Sequence, residues 1–317
     1  MKTVLVTGAT GFVGTDFCRR IQASGWQVRA ALRSPCRLPE GIQAIEVGEI
    51  GPETNWDRAL KGVDAVVHLG ARVHVMQEVV ADPITLFRRV NAAGTARLAS
   101  EAARAGVRRL VFVSSIKVNG EGRWEPYSEA DRAAPQDAYA VSKWEAELAL
   151  EEIGRVTGME WVILRVPLVY GPGVRGNFLR LLRLIQRGVP IPVGSGRNLR
   201  SLLFVGNLSD ALCACLSVSR VANQTLLLSD GDDCSVTELT QSLALAMQRS
   251  IRILPVPIAW LRAVGRVTGR SAEVGRLIDP LRVDSTRSRE LLGWRPPYTL
   301  EQGLTQTADW FVASGSK

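Results

Sequence analysis

The chain has 317 residues, 46% of them hydrophobic, and 39 Lys and Arg against 31 Asp and Glu give a net charge of +8. That length buries a large core, and the composition predicts one large domain plus a smaller one rather than a disordered or fibrous polymer. The excess cation is nearly all arginine, spread without a basic block or interleaved aromatics, which argues against nucleic-acid binding. The five cysteines, at 18, 36, 213, 215 and 234, have no C-x-x-C spacing and only two histidines exist, so free thiols and no metal site are expected.

In chain order, apolar runs predict strands at Thr3–Thr7, Gln27–Leu32, Ala44–Val47, Ala65–Leu69, Arg109–Ser114 and Trp161–Arg165. Helices are predicted between them at Gly11–Ser24, Asn55–Leu60, Pro83–Ala105 and Ala138–Thr157. Such alternation gives an α/β fold, a doubly wound parallel sheet covered on both faces. After about Pro167 the alternation fades and Gly and Pro become frequent. The reading divides the chain into a domain over 1–166 and a smaller lobe over 167–317 interleaved with it. A strand at the very N-terminus leaves no room for a signal peptide, and no apolar run approaches a membrane span, so a cytoplasmic location is expected. Ile253–Val267 is apolar enough to suggest a membrane-surface helix, but the prolines at 255 and 257 favour ordinary packing in the smaller lobe.

The first strand runs directly into Thr7-Gly8-Ala9-Thr10-Gly11-Phe12-Val13-Gly14. Missing side chains at Gly8, Gly11 and Gly14 let the backbone turn tightly, approach a pyrophosphate and let the next helix lean on the strand. The phosphates then sit at the helix's positive end. Far downstream, Tyr139-Ala-Val-Ser-Lys143 puts a phenol and an ammonium on one helical face. Four tyrosines and five lysines in 317 residues give a chance expectation of about 0.06 such pairs, so the spacing carries information. A neighbouring cation favours a phenolate and would bring proton exchange toward neutral pH.

These two patterns resemble those of the extended short-chain dehydrogenase/reductase family, and further matches follow in that family's order. They are His68-Leu69-Gly70-Ala71, Asn91-x-x-Gly94-Thr95, Val113-Ser114-Ser115, Leu164-Arg165, Val169-Tyr170-Gly171-Pro172-Gly173, Arg200-Ser201 and Leu292-Gly293-Trp294. The resemblance implies a Rossmann-type dinucleotide-binding sheet with a substrate-binding lobe. It implies that Gly8, Thr10, Gly11, Phe12, Val13, Gly14, Leu69, Gly70, Ala71, Val113, Tyr139, Lys143 and Pro167 line the cofactor. Glu49 and Ile50 would flank the adenine, where the family more usually has Asp. The proposed catalytic set is Ser115, Tyr139 and Lys143. Ser114 competes with Ser115, and counting three residues back from Val118 favours Ser115. His68 reads as structural.

Between Asp16 and Glu40 there is no acidic residue to hold a ribose 2′-hydroxyl, and Arg33 stands just past the second strand. The expectation is NADP(H), with NAD(H) the alternative. By resemblance the substrate is a nucleotide sugar, with Ser115, Asn119, Tyr139, Asn177, Arg200 and Arg276 contacting it; a guanidinium fork suits a diphosphate. Asn119 replaces the tyrosine of the usual V-Y-G segment. The segment Ser115-Ile116-Lys117-Val118-Asn119-Gly120-Glu121 is similar to that of bacterial UDP-4-keto-6-deoxy-N-acetylhexosamine 4-reductases of surface-polysaccharide synthesis, so NADPH-dependent C4 reduction is the leading expectation. A 4-epimerase with tightly bound NAD is the alternative, and a cofactor-sensing, non-catalytic protein is a third reading. The family's dehydratases place Asp-Glu where this chain has Ile116-Lys117, which argues against dehydration. Relatives pair through the helices near Pro83–Ala105 and Ala138–Thr157, so a homodimer is expected.

Overall fold

The computed structural model describes residues 1–73, 83–193, 198–269, 275 and 279–315. The first six strands are β1 (Thr3–Thr7), β2 (Gln27–Leu32), β3 (Ile42–Glu46), β4 (Ala65–His68), β5 (Arg109–Ser115) and β6 (Glu160–Val166). The helices among them are α1 (Phe12–Ala23), α2 (Asp57–Leu60), α3 (Pro83–Phe87), α4 (Gly94–Arg104) and α5 (Ala138–Thr157), with a π-helical stretch, Arg88–Ala93, joining α3 to α4. The chain then gives β7 (Leu168–Tyr170), α6 (Gly176–Gln186), β8 (Ile191–Val193), β9 (Leu202–Phe204), α7 (Val205–Ser217) and β10 (Gln224–Leu227). It closes with α8 (Val236–Ala246), β11 (Ile253–Pro255), α9 (Ile258–Val267), α10 (Thr286–Leu292) and α11 (Leu300–Ala313).

Seven strands form one parallel sheet in the order β10-β6-β5-β4-β1-β2-β3. Alternation along the strands fills both faces. Val4 and Val6 point to a core shared with Phe17 and Ile21 of α1 and Leu208, Leu212 and Leu216 of α7. Leu5, Val66, Leu110 and Phe112 point the other way, onto Leu98 and Ala102 of α4 and Ala146 and Leu150 of α5. Each fully buried side chain of this kind contributes about 1.5–3 kcal/mol. A separate core gathers Phe178, Leu182 and Ile185 of α6, Leu239 and Leu243 of α8 and Leu304 and Phe311 of α11. Beside it lie two small parallel pairs, β7 with β9 and β8 with β11.

The predicted alternation up to residue 166 is present, with local differences. The third strand starts at Ile42 rather than Ala44 and is largely exposed, because as an edge strand it pairs only with β2. The second helix starts late because the Asn55 side chain accepts from the Asp57 amide at 2.9 Å, forming a turn ahead of it. The seventh strand, β10, comes from beyond residue 167 and was not among the predicted strands. Packing of Ile253–Val267 is also not as expected: α9 seats Gly265 and partly Leu261, while Trp260, Val264 and Val267 stay exposed.

The sheet reverses direction between β1 and β4, which opens a crevice beyond their C-terminal ends. A buried polar chain fixes these ends relative to one another. Thr7 Oγ1 accepts from the amides of Leu69 and Gly70 at 3.2 and 2.9 Å, so its own hydrogen goes to His68 Nδ1, 2.6 Å away. His68 is therefore assigned as the Nε2–H tautomer, donating to Thr95 Oγ1 at 3.0 Å, and Thr95 in turn donates to the Asn91 carbonyl at 2.5 Å. The structural reading of His68 stands, with Thr7 and Thr95 as its partners.

Burial, with the charge of Lys143 as the smaller cause, pushes the His68 imidazole down to about 3. Its folded value lies below the ordinary 6.5, so the stability it contributes is full above about pH 6.5 and is lost as pH falls toward 3. Urea denaturation of the native protein should show about 2 kcal/mol of this loss between pH 6.5 and 5. His68→Gln should lack that component, and parallel acid limbs for the two proteins would place it elsewhere.

Candidate active site

The glycine turn after β1 has room for a pyrophosphate and for nothing larger than hydrogen at its glycines. Gly8 has φ +66°, and a Cβ there would lie 2.9 Å from the Gly70 amide nitrogen. A Cβ at Gly14 would lie 2.1 Å from the Gly8 carbonyl oxygen, so α1 leans directly on the turn. Gly11 caps α1 without a side-chain hydrogen bond, which leaves the first-turn amides of α1 to an anion. Thr10 is exposed and Phe12 and Val13 are half-buried beside them. This cradle fits the diphosphate of a dinucleotide.

Leu69, Gly70 and Ala71 line the end of β4, half-buried. Ile50 fills the space between Gly70 and Gly94: a Cβ at either would meet its side chain at 2.6 or 2.7 Å. Glu49 is exposed, and its carbonyl accepts from Thr54. Arg33 is exposed immediately after β2. Val113 is half-buried in β5 and Pro167 is buried just after β6. Gly173 approaches the turn as well, its Cβ position 3.4 Å from Phe12 Cδ2.

The proposed catalytic residues come from two elements that pack together, α5 and the end of β5. The two serines differ. Ser114 is buried and donates to the Glu147 carboxylate. Ser115 is half-buried, and its oxygen accepts from the Lys117 amide at 3.3 Å. The geometry thus commits Ser114 to the interior and favours Ser115 for the site.

Tyr139 and Lys143 stand one turn apart on α5. The chain of hydrogen bonds from Thr7 reaches them. The Asn91 amide donates to Ser142 Oγ and to the Arg72 carbonyl, each at 3.0 Å, and Ser142 donates to the Tyr139 carbonyl at 2.7 Å. Lys143 is 2% exposed, with its ammonium 4.0 Å from the centre of the Phe112 ring. His68 stacks on that same ring at 5.5 Å. Burial pushes Lys143 down to about 7, with Glu147 opposing the shift. The expected lowering of the phenol by Lys143 is not met in the protein's own groups. Burial, then the charge of Asp137, pushes Tyr139 up to about 12.

Glu147, one turn beyond Lys143, lies fully buried and is gripped by Arg165, whose Nε is 3.2 Å from both carboxylate oxygens and whose Nη2 is 2.6 Å from one. The remaining Arg165 nitrogen, Nη1, donates to Asn119 Oδ1 at 3.0 Å, and the Asn119 amide donates to the Ser128 carbonyl at 3.1 Å. Asn119 is 2% exposed. Its side chain thus ties Arg165 to the Ser128 segment, and contact with substrate is not among the bonds it makes here.

Sequence reasoning also missed a bridge between the serine and tyrosine segments. Asp137 accepts from the Ala140 amide through Oδ1 at 2.7 Å, capping α5, and from Lys117 Nζ through Oδ2 at 2.8 Å. Lys117 Nζ also pairs with Glu121 at 3.0 Å. An acidic residue in the N-cap position two places before Tyr139 was the available signal. Asn177 is exposed in the first turn of α6. Arg200 is half-buried and donates to the Asp279 carbonyl. Arg276 lies outside the described residues. Trp144 stacks under the Arg165 guanidinium at 5.4 Å, whereas Trp124 is 58% exposed.

Comparison with known proteins agrees with this geometry. A family model described as the NAD dependent epimerase/dehydratase family matches residues 4–226. The chain is 43% identical to a UDP-glucose 4-epimerase of Vibrio cholerae, over 100% of this chain and 97% of that one. It is 28% identical to an N-acetyl-alpha-D-glucosaminyl-diphospho-ditrans,octacis-undecaprenol 4-epimerase of Escherichia coli O157:H7, covering 99% and 96% of the two chains. The solved structure of MoeE5 in complex with UDP-glucuronic acid and NAD superposes with a TM-score of 0.81 at 27% identity, over 98% of this chain and 99% of that one. A glycine cradle at the reversal of a seven-stranded parallel sheet, joined to a match over most of the chain, places the protein in the NAD-dependent epimerase/dehydratase family, among enzymes acting on nucleotide sugars.

Proposed function

We propose that the protein is a nucleotide-sugar 4-epimerase that uses NAD. The observation that carries this reading is the 43% identity to a UDP-glucose 4-epimerase along the full length of both chains. It displaces the C4 reductase as the leading expectation. The preference for NADP(H) rested on Arg33 and a missing acidic residue, and Arg33 is an exposed side chain past β2. The solved relative MoeE5 holds NAD. The same division of the chain, at about residue 166, is proposed to separate cofactor binding from most of the sugar-nucleotide contacts.

When bound, NAD supplies a reversible hydride acceptor, which is the part of the chemistry no side chain provides. The protein's own residues bind, orient and move a proton. The glycine cradle and the first turn of α1 hold the diphosphate of the cofactor, and Asn177 and Arg200 supply donors for the substrate's diphosphate. Ser115 orients the sugar hydroxyl, and Tyr139 takes and later returns its proton. Lys143 lies one turn from Tyr139 on the same helix. Burial holds Lys143 near 7 and Tyr139 at about 12, so in this reading the phenol passes its own proton on to a neutral Lys143 as it takes the proton of the sugar hydroxyl. A homodimer through α3, α4 and α5 is proposed, with the exposed Leu148 and Val156 of α5 available to it.

Incubating the protein with UDP-glucose or UDP-N-acetylglucosamine should yield the C4 epimer, read by NMR, with NAD released on denaturation and no net NADH or NADPH consumption. Stoichiometric NADPH oxidation with a UDP-4-keto-6-deoxy-N-acetylhexosamine would sink the epimerase reading and restore the reductase. Tyr139→Phe should lower kcat by about 10²–10⁴-fold while NAD still binds.

The Lys117–Asp137 bridge gives a prediction with a sign. The Asp137 charge raises the Tyr139 phenol, and Lys117 lies against that charge. Lys117→Met should therefore move the limb of the kcat–pH profile that is set by Tyr139 to higher pH, and Lys117→Arg should restore it. Asp137→Ser keeps a helix-capping side chain but removes the charge, and should move the limb to lower pH. Equal falls in kcat for all three variants, with no displacement of the limb, would reduce the bridge to packing.

A further inference from the structure

Helix α9 is built the wrong way round for a helix that only packs on its own protein. Successive turns bring Trp260, Val264 and Val267 to one face, at i, i+4 and i+7. Those three are 70%, 56% and 89% exposed. Contact with the protein is made on a different face, where Gly265 is buried and Ile258 and Leu261 are half-buried. The helix is nonetheless held in place. At its start, β11 pairs with β8 and the Val256 amide donates to the Val193 carbonyl at 2.9 Å. On its side, Arg262 pairs with Asp279 at 3.1 Å. A large aromatic and two valines are thus presented to the outside on a fixed support.

The exposed charge on and just before this helix is mainly positive, with Asp279 paired to Arg262. Arg266 is exposed on α9, about 100° around the helix from Val267, and Arg249 and Arg252 are exposed just before β11. In sequence, Glu238–Asp279 holds six arginines against three acidic residues, Glu238, Glu273 and Asp279. An exposed apolar stripe bearing tryptophan, on a helix with exposed arginines on its other sides, is an arrangement that suits a membrane interface, its apolar face among the acyl chains and its cations at anionic headgroups. A second protein copy fits less well. A stable interface takes about 800 Å² and 20–30 residues from each partner, and three projecting side chains on a ten-residue helix supply a small part of that.

We propose that α9 docks the protein onto an anionic lipid surface, inserting Trp260, Val264 and Val267 while the surrounding arginines meet the headgroups. Docking of this kind is independent of the sugar chemistry, so it stands or falls apart from the epimerase reading.

The test is flotation of the full-length protein with vesicles of phosphatidylcholine alone or mixed with phosphatidylglycerol, at low and high salt. The native protein should float with the anionic vesicles about tenfold more than with the neutral ones, and less at high salt. The combined Trp260→Ser, Val264→Ser, Val267→Ser variant, altered only at exposed positions, should keep its thermal midpoint and lose about tenfold in binding. Arg252→Glu with Arg266→Glu should lose binding to anionic vesicles specifically. No binding by the native protein, or equal binding by the triple-serine variant, overturns the proposal. A change of sedimentation from dimer to monomer in that variant, with no vesicle binding by the native protein, assigns the face to a second copy instead.

Discussion

The site depends on a line of buried hydrogen bonds that begins in β1 and ends on the backbone of the catalytic helix. Thr7, His68, Thr95, Asn91 and Ser142 pass from the glycine turn, through β4 and α4, to the carbonyl of Tyr139. Every member is nearly or fully buried, so a missing partner would leave a polar group unsatisfied, at about 1–3 kcal/mol each. The line has a direction, because each hydroxyl has one hydrogen to give. It therefore requires a neutral His68, and the ring's burial and the nearby Lys143 enforce that state. What binds at the glycine turn and what reacts at Tyr139 are in this way parts of one rigid body. The π-helical stretch at Arg88–Ala93 belongs to the same arrangement, since it carries Asn91 to the point where its amide reaches both Arg72 and Ser142.

Charges then tune what the neutral line positions. Lys143 sits over Phe112 on one side and feels Glu147 on the other. Glu147 is not free to lend its whole charge to the lysine, because Arg165 takes it in several hydrogen bonds and Ser114 in another. Removing one partner of such a buried pair typically costs about 3–5 kcal/mol. Burial consequently wins over Glu147, and Lys143 ends near 7 rather than near its ordinary value. Asp137 does two jobs at the other end of the helix. One oxygen caps α5 and the other meets Lys117, so a single carboxylate sets the start of the tyrosine helix against the serine loop.

Much of this was legible in the sequence because the signals are local. The glycine turn, the alternating strands and the Tyr–Lys spacing each lie within a few residues, and α5 runs from Ala138 to Thr157 as its pattern predicts. The less legible features depend on partners distant in the chain. Asn119 sits where a substrate contact was expected, and its actual partner, Arg165, is 46 residues away. β10 is four residues long and pairs with β6 across some sixty residues of chain, so no local period marks it. Asn91 and Thr95 were noticed only as a resemblance, since their work is done through His68 and Ser142. The apolar pattern of α9 was visible, but a pattern alone does not say which side faces the protein.

The basic balance of the chain follows from how its arginines are used. Several are consumed internally: Arg20 on Asp210, Arg109 on Glu160, Arg123 on Asp131, Arg165 on Glu147 and Arg282 on Asp233. Each of these brings its own acid, so together they add nothing to the net charge. An excess has to come from stretches where arginines outnumber acids, and Glu238–Asp279 is such a stretch. Trp161–Ser209, with seven arginines and no acidic residue, is another. What sets α9 apart is therefore not the charge alone but its outward tryptophan and valines, since a solvated basic face needs no apolar stripe.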